Sequence, residues 1–78
     1  MAQFTLEIAL PDRPGSLGAV ASAIGFVGGD IRGLRVLRSE DGRGYDEIIV
    51  AIPGSDTTDL LSVLNQIGGV EVLAVKAI

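Results

Sequence analysis

Phe4-Thr5-Leu6-Glu7-Ile8-Ala9-Leu10-Pro11-Asp12-Arg13-Pro14-Gly15-Ser16-Leu17 changes period part-way along. Up to Leu10 the apolar residues alternate: Phe4, Leu6, Ile8 and Leu10 share one face, and Thr5, Glu7 and Ala9 the other, as in a strand with one buried side. Beyond Gly15 they recur at Leu17, Val20, Ala21, Ile24 and Val27, the i, i+3, i+4, i+7 spacing of a helix. A strand over residues 3–10 thus feeds a helix over 15–27 through a tight turn bearing both signs of charge.

The remaining elements follow outward from this pair. Gly28-Gly29 stops the first helix, one glycine taking the left-handed cap conformation. A second strand covers residues 30–38 with Gly33 inside it, marking a bulge or a close approach by another backbone. Ser39-Glu40-Asp41-Gly42-Arg43-Gly44 is a polar hairpin turn leading to a third strand at 45–52. Pro53-Gly54-Ser55 ends that strand, and Ser55 or Asp56 caps a second helix with Asp59 in its first turn, where the helix dipole favours acid. Leu60, Leu61, Leu64 and Ile67 form its apolar stripe, with Val63 flanking. Gly68-Gly69 closes it before a last strand at 70–78, echoing weakly the double glycine after Val27.

Strand, helix, strand, strand, helix, strand with right-handed crossovers leads to a split βαβ arrangement. The expected fold is an α+β, ferredoxin-like βαββαβ sandwich, a four-stranded antiparallel sheet with two helices on one face. With 78 residues there is room for one domain, and a hydrophobic fraction of 47% is enough to fold it. Domains of this size bury only about 60% of the surface their unfolded chain exposes. The chain has no cysteine and no histidine, which removes disulfides, thiolate metal sites and imidazole chemistry. Self-association is the remaining source of extra stability, and a homodimer is expected.

Ten acidic residues against six basic ones give a net charge of −4, which opposes binding to nucleic acid or to an anionic membrane. No basic start followed by an apolar segment is present, and the expected location is the cytoplasm. Arg43-Gly44-Tyr45 begins like an RNA-recognition signature, but Asp46 and Glu47 stand where small and aromatic residues should follow. Catalysis is not expected either. Serine has no visible partner base, and Asp46 and Glu47 are adjacent on a strand and point to opposite faces. The phosphate-cradling loop of acylphosphatases, which share the architecture, is not matched. No metal or cofactor is called for.

The turn itself is the candidate site. The first amides of a helix lack partners inside it and carry partial positive charge, so a carboxylate can sit there, with Gly15 allowing close approach. Asp12 beside them suits an ammonium group, and a free amino acid is the natural ligand of such a pair. The competing reading is a plain strand-to-helix connection shaped by Pro and Gly. Arg13 is open between ligand contact and surface charge, and Asp30 between ligand contact and turn former. Arg32, Arg35 and Arg38 either guard a sheet edge or face acids of a second subunit.

Leu10-Pro11-Asp12-Arg13-Pro14-Gly15-Ser16-Leu17, then Ile24, Gly28-Gly29-Asp30-Ile31 and the ending Gly69-Val70-Glu71-Val72-Leu73, resembles the ACT domain over essentially the whole chain. That resemblance implies a single domain over 1–78, an amino-acid-binding regulatory module of metabolic enzymes and some transcription regulators. It implies a ligand held where the loop before the first helix meets the second strand of a neighbouring copy. Carried over, the site residues are Asp12, Arg13, Pro14, Gly15, Ser16 and Leu17, with Asp30 and Ile31. Many members have asparagine where this chain has Asp30; aspartate keeps the acceptor and loses the amide donor. The run Ala21-Ser22-Ala23-Ile24 is also similar to the amino-terminal ACT segment of some bacterial malic enzymes, which implies a relative or a separate copy of such a regulatory piece. The alternative is a ligand-free oligomerisation module that pairs with itself or with a metabolic enzyme.

Overall fold

Alternation of apolar residues in four segments and helical spacing in two produce the order β1 (Ala2–Pro11), α1 (Ser16–Phe26), β2 (Asp30–Glu40), β3 (Arg43–Ile52), α2 (Thr58–Asn65) and β4 (Glu71–Ala77). A computed structural model describes all residues, 1–78. The strands make one antiparallel sheet in the order β2-β3-β1-β4, the ferredoxin-like arrangement expected. β1 and β3 are the inner strands, with Leu6 opposite Ile48 and Ile8 opposite Asp46. Leu6, Ile8 and Leu10 of β1 and Ile48, Val50 and Ile52 of β3 pack beneath Val20 and Ile24 of α1 and Leu60 and Leu64 of α2. This is an entirely aliphatic core on one face of the sheet.

β2 is an edge strand; Ile31 near its start packs against the core, but further along the helices leave it uncovered, with Leu34 42% exposed and Val36 65%. The register against β3 shifts between Ile31 and Gly33 and again between Val36 and Arg38, so Gly33 stands beside a bulge. The arginines of this edge are held within the chain. Arg35 pairs with Glu47 at 3.2 Å, Arg32 with Asp30 at 3.5 Å, and the Arg38 guanidinium lies 3.9 Å from the centroid of the Tyr45 ring.

Three details differ from the sequence reading. The hairpin turn is shorter than residues 39–44: Glu40 pairs with Arg43, leaving Asp41 (φ 53°) and Gly42 (φ 76°) as the turn. Positive φ at both central residues matches the twist of the flanking strands, and Asp-Gly is the pair suited to it. The N-cap of α2 is Thr57 and not Ser55 or Asp56; Asp56 Oδ1 accepts from the Thr58 amide (2.9 Å) and from Thr58 Oγ1 (2.6 Å). Leu17, expected in the core, is 37% exposed. It lies in the first turn of α1, against a cleft and not against the sheet.

The Gly28-Gly29 stop is a Schellman ending. Gly28 has φ 81°, its amide donates to Gly25 O (3.0 Å), and the Gly29 amide donates to Ile24 O (2.9 Å). A Cβ on Gly29 would stand 2.7 Å from Ile24 Cγ2 and 2.9 Å from the Ile24 carbonyl oxygen, so backbone itself would have to shift. Gly29→Ala is expected to cost about 1–3 kcal/mol, the usual penalty of overpacking, read as a lowered urea midpoint at unchanged m-value.

Candidate functional site

Pro11 ends β1 opposite Arg43, and the chain then turns under the tip of the β2–β3 hairpin. The Asp12 amide donates to Gly42 O at 2.9 Å, and Ser39 Oγ donates to Asp12 Oδ2 at 2.6 Å. The hairpin therefore fixes both the backbone and the carboxylate of Asp12. Gly15, at φ 88°, is the N-cap of α1 and offers no side chain to the helix start. A Cβ there would meet open space, so the glycine is required by its backbone angle and not by close packing.

The free donors of the helix start can be counted. The Ser16 amide donates to Arg13 O (3.3 Å) and the Ala19 amide to Gly15 O (3.0 Å), while the Leu17 and Gly18 amides find no acceptor in the chain. Beside Leu17 opens a cleft of about 190 Å³, lined by Leu10, Asp12, Arg13, Ser16, Leu17, Val36, Ser39 and Asp46 among others. It is wedged between the first turn of α1 and the uncovered part of β2.

Of the residues expected at the site, Asp12, Arg13, Ser16 and Leu17 line this cleft. Pro14 and Gly15 border a second depression on the other side of the turn, shared with Ile67, Gly68 and Val70. Asp30 and Ile31 stand at the opposite end of the sheet: Asp30 pairs with Ala51, whereas Asp12 follows the end of β1 where Pro11 pairs with Arg43. Within one chain the two halves do not meet. No group of three or more His, Cys, Asp or Glu is placed to hold a metal ion.

Val36, Ser39 and Asp46 were missed from the sequence. Val36 and Ser39 carry no chemical signal of their own. Asp46 does: on β3 the buried face reads Gly44, Asp46, Ile48, Val50, Ile52, and an acid in that column is a break in binary pattern. Asp46 is only 5% exposed, the sole buried charged residue. Burial pushes its carboxyl above the ordinary value, and the neighbouring Asp12 charge pushes it the same way.

The family model for "ACT domain" matches residues 4–69. The chain belongs to the ACT domain family. ACT domains are in general regulatory modules that bind small molecules, not catalytic ones. No curated protein matches the sequence. Among solved structures, this ACT domain is similar to a crystal structure of an unknown protein from Galdieria sulphuraria, with a TM-score of 0.83 at 15% identity. The alignment covers 99% of this chain and 45% of that one, so the ACT domain spans less than half of that relative's length and the likeness is one of fold. No helix of the ACT domain is long and apolar enough to cross a membrane.

Asp46 has a sign-definite effect on stability. The charged groups on its cleft are Asp12 and Arg13 from the turn; α1 offers Ser16 and Leu17, β1 Leu10, and β2 Val36 and Ser39. With its carboxyl raised in the folded state, the native chain holds more protons than the unfolded one above the ordinary Asp range, so stability falls as pH rises through that interval. Asp46→Asn removes this loss. The variant is expected to gain on the wild type between about pH 4 and neutrality, read from urea midpoints across a pH series.

Proposed function

We propose that this ACT domain senses a free amino acid at an interface between two copies of the chain. The observation carrying this reading is the cleft at the 12–17 turn, whose lining joins Leu17, with its unpartnered amide, to the acids Asp12 and Asp46. The amides suit a carboxylate, the acid suits an ammonium, and Leu17 and Val36 supply apolar contact for a side chain.

A second copy completes the site through β2. Antiparallel pairing of two β2 edges about the middle of the strand brings residues 30–31 of one copy beside residues 38–40 of the other, next to the cleft. The same pairing covers Leu34 and Val36, which are exposed in the single chain. Ligand bound between copies stabilises the pair only if it prefers the assembled form, and that preference is the regulatory signal. On this reading a metabolic enzyme is the regulated partner. The exposed edge also supports a second reading, a ligand-free assembly module.

Calorimetry against the twenty amino acids, with native mass in parallel, tests the proposal. At least one is expected to give saturable heat and to shift mass toward the dimer; none doing so would overturn the sensor. A ligand at 100 times its Kd adds about 2.7 kcal/mol of stability, and its thermal shift is roughly 4–8 °C per kcal/mol for a domain of this size. Gly15→Val, which forces a side chain onto a positive-φ residue at the helix start, is expected to abolish binding. If assembly alone is the function, the variant keeps its size and there is no binding to lose.

A further inference from the structure

We propose that Asp46, together with Asp12, is the seat of the ligand's ammonium group, so that the guest lies amine-inward along β3 with its carboxylate toward the start of α1. This rests on the sensor reading above and decides what that reading leaves open, namely which acid holds the amine and which ligands are admitted.

The starting point is an unpaid debt in the electrostatics of the folded chain. Asp46 is 95% buried, since only 5% of it is exposed, yet no side-chain hydrogen bond and no ion pair reaches it. A carboxylate withdrawn from water without a donor is costly, which is why such groups are ordinarily paired. Every fully sealed side-chain nitrogen or oxygen of the chain has a hydrogen-bond partner, so the Asp46 oxygens are not sealed. They keep an opening, and the cleft is the opening they line.

The surroundings select the guest's charge and shape. Asp12 presents a second carboxylate to the same cleft, already steadied by Ser39 Oγ at 2.6 Å and by the hairpin backbone. Arg13, the one cation on the lining, pairs with neither acid. Two acids and a hydroxyl over walls of Leu10, Leu17 and Val36 accept a compact cation with several N–H donors and an aliphatic body. A protonated primary amine meets those terms. Asp30 does not compete for it within the chain, because its carboxylate is exposed and lies 3.5 Å from Arg32.

The test uses the full chain and the amino acid that binds best in calorimetry. Three results are expected. Asp46→Asn weakens binding roughly 10- to 100-fold, the loss of one charge-assisted hydrogen bond. Asp30→Asn, at a residue that reaches the cleft only from the second copy and is paired with Arg32 in its own chain, weakens it less than Asp46→Asn does. The N-acetylated form of the same amino acid fails to bind, while its amide, which keeps the amine and lacks the carboxylate, still does. Asp46→Asn is expected to fold at least as well as the wild type, so a loss of binding is not a loss of structure; urea midpoints confirm this. Wild-type binding that survives both Asp46→Asn and N-acetylation overturns this assignment and leaves the sensor intact. If no amino acid binds but a simple primary amine such as methylamine does, and Asp46→Asn abolishes that, the ammonium seat stands and the amino-acid reading falls. Binding of neither overturns both.

Discussion

Burial of six aliphatic side chains from β1 and β3 beneath Val20, Ile24, Leu60 and Leu64 is the interaction on which the molecule depends. Each such side chain removed from water contributes about 1.5–3 kcal/mol, and with no cysteine or histidine the chain has no disulfide or thiolate metal staple to add. The same core dictates where the site lies. On β3 the column Ile52, Val50, Ile48 is fixed beneath the helices, and the pleat then forces Asp46 and Gly44 into line behind them. An acid cannot leave that column without turning the whole strand over. Asp46 is therefore held in the lining of the cleft by the hydrophobic residues that precede it in space, not by any bond of its own.

The turn at residues 12–17 is positioned by a different element, the β2–β3 hairpin. Asp41 and Gly42 adopt positive φ and bring the Gly42 carbonyl to the Asp12 amide, and Ser39 reaches the Asp12 carboxylate. The cleft is thus assembled from three segments far apart in sequence: the end of β1 with the start of α1, the end of β2, and the start of β3. The acidic side comes from the turn and β3, the amide donors from α1, and the apolar contact from Leu17 and from Val36 on the uncovered edge.

How much of this was legible follows from the range of the interactions involved. The six elements, the sheet and the turn as a candidate site rest on local period and on Gly, Pro and Asp placement, which neighbouring residues decide. Helical spacing puts Leu17 on the buried face but does not show where that face runs off the sheet. The polar run over residues 39–44 reads as turn throughout, although Asp41-Gly42 alone has the chemistry of a two-residue loop. Ser39 and Val36 owe their place in the cleft to the pairing of β2 with β3 and to the fold of Asp12 beneath the hairpin, contacts that no window of sequence displays. Asp46 is visible in the sequence as an acid amid Ile and Val, a signal carried by its own column at i±2 and obscured by the adjacent Glu47.

The two register shifts in β2 have a bearing on what this chain can become at high concentration. Between Gly33 and Val36 the ladder against β3 is regular, and on either side it is interrupted. Bulges kink a strand and increase its twist, so the outer edge offers an incoming backbone a short run and then curls away from it. Such an edge can accept one partner in a closed two-fold handshake, but it is a poor template for the flat, repeating stacks from which fibrils grow. The irregularities that make β2 an imperfect strand are, on this view, the chain's protection against polymerisation.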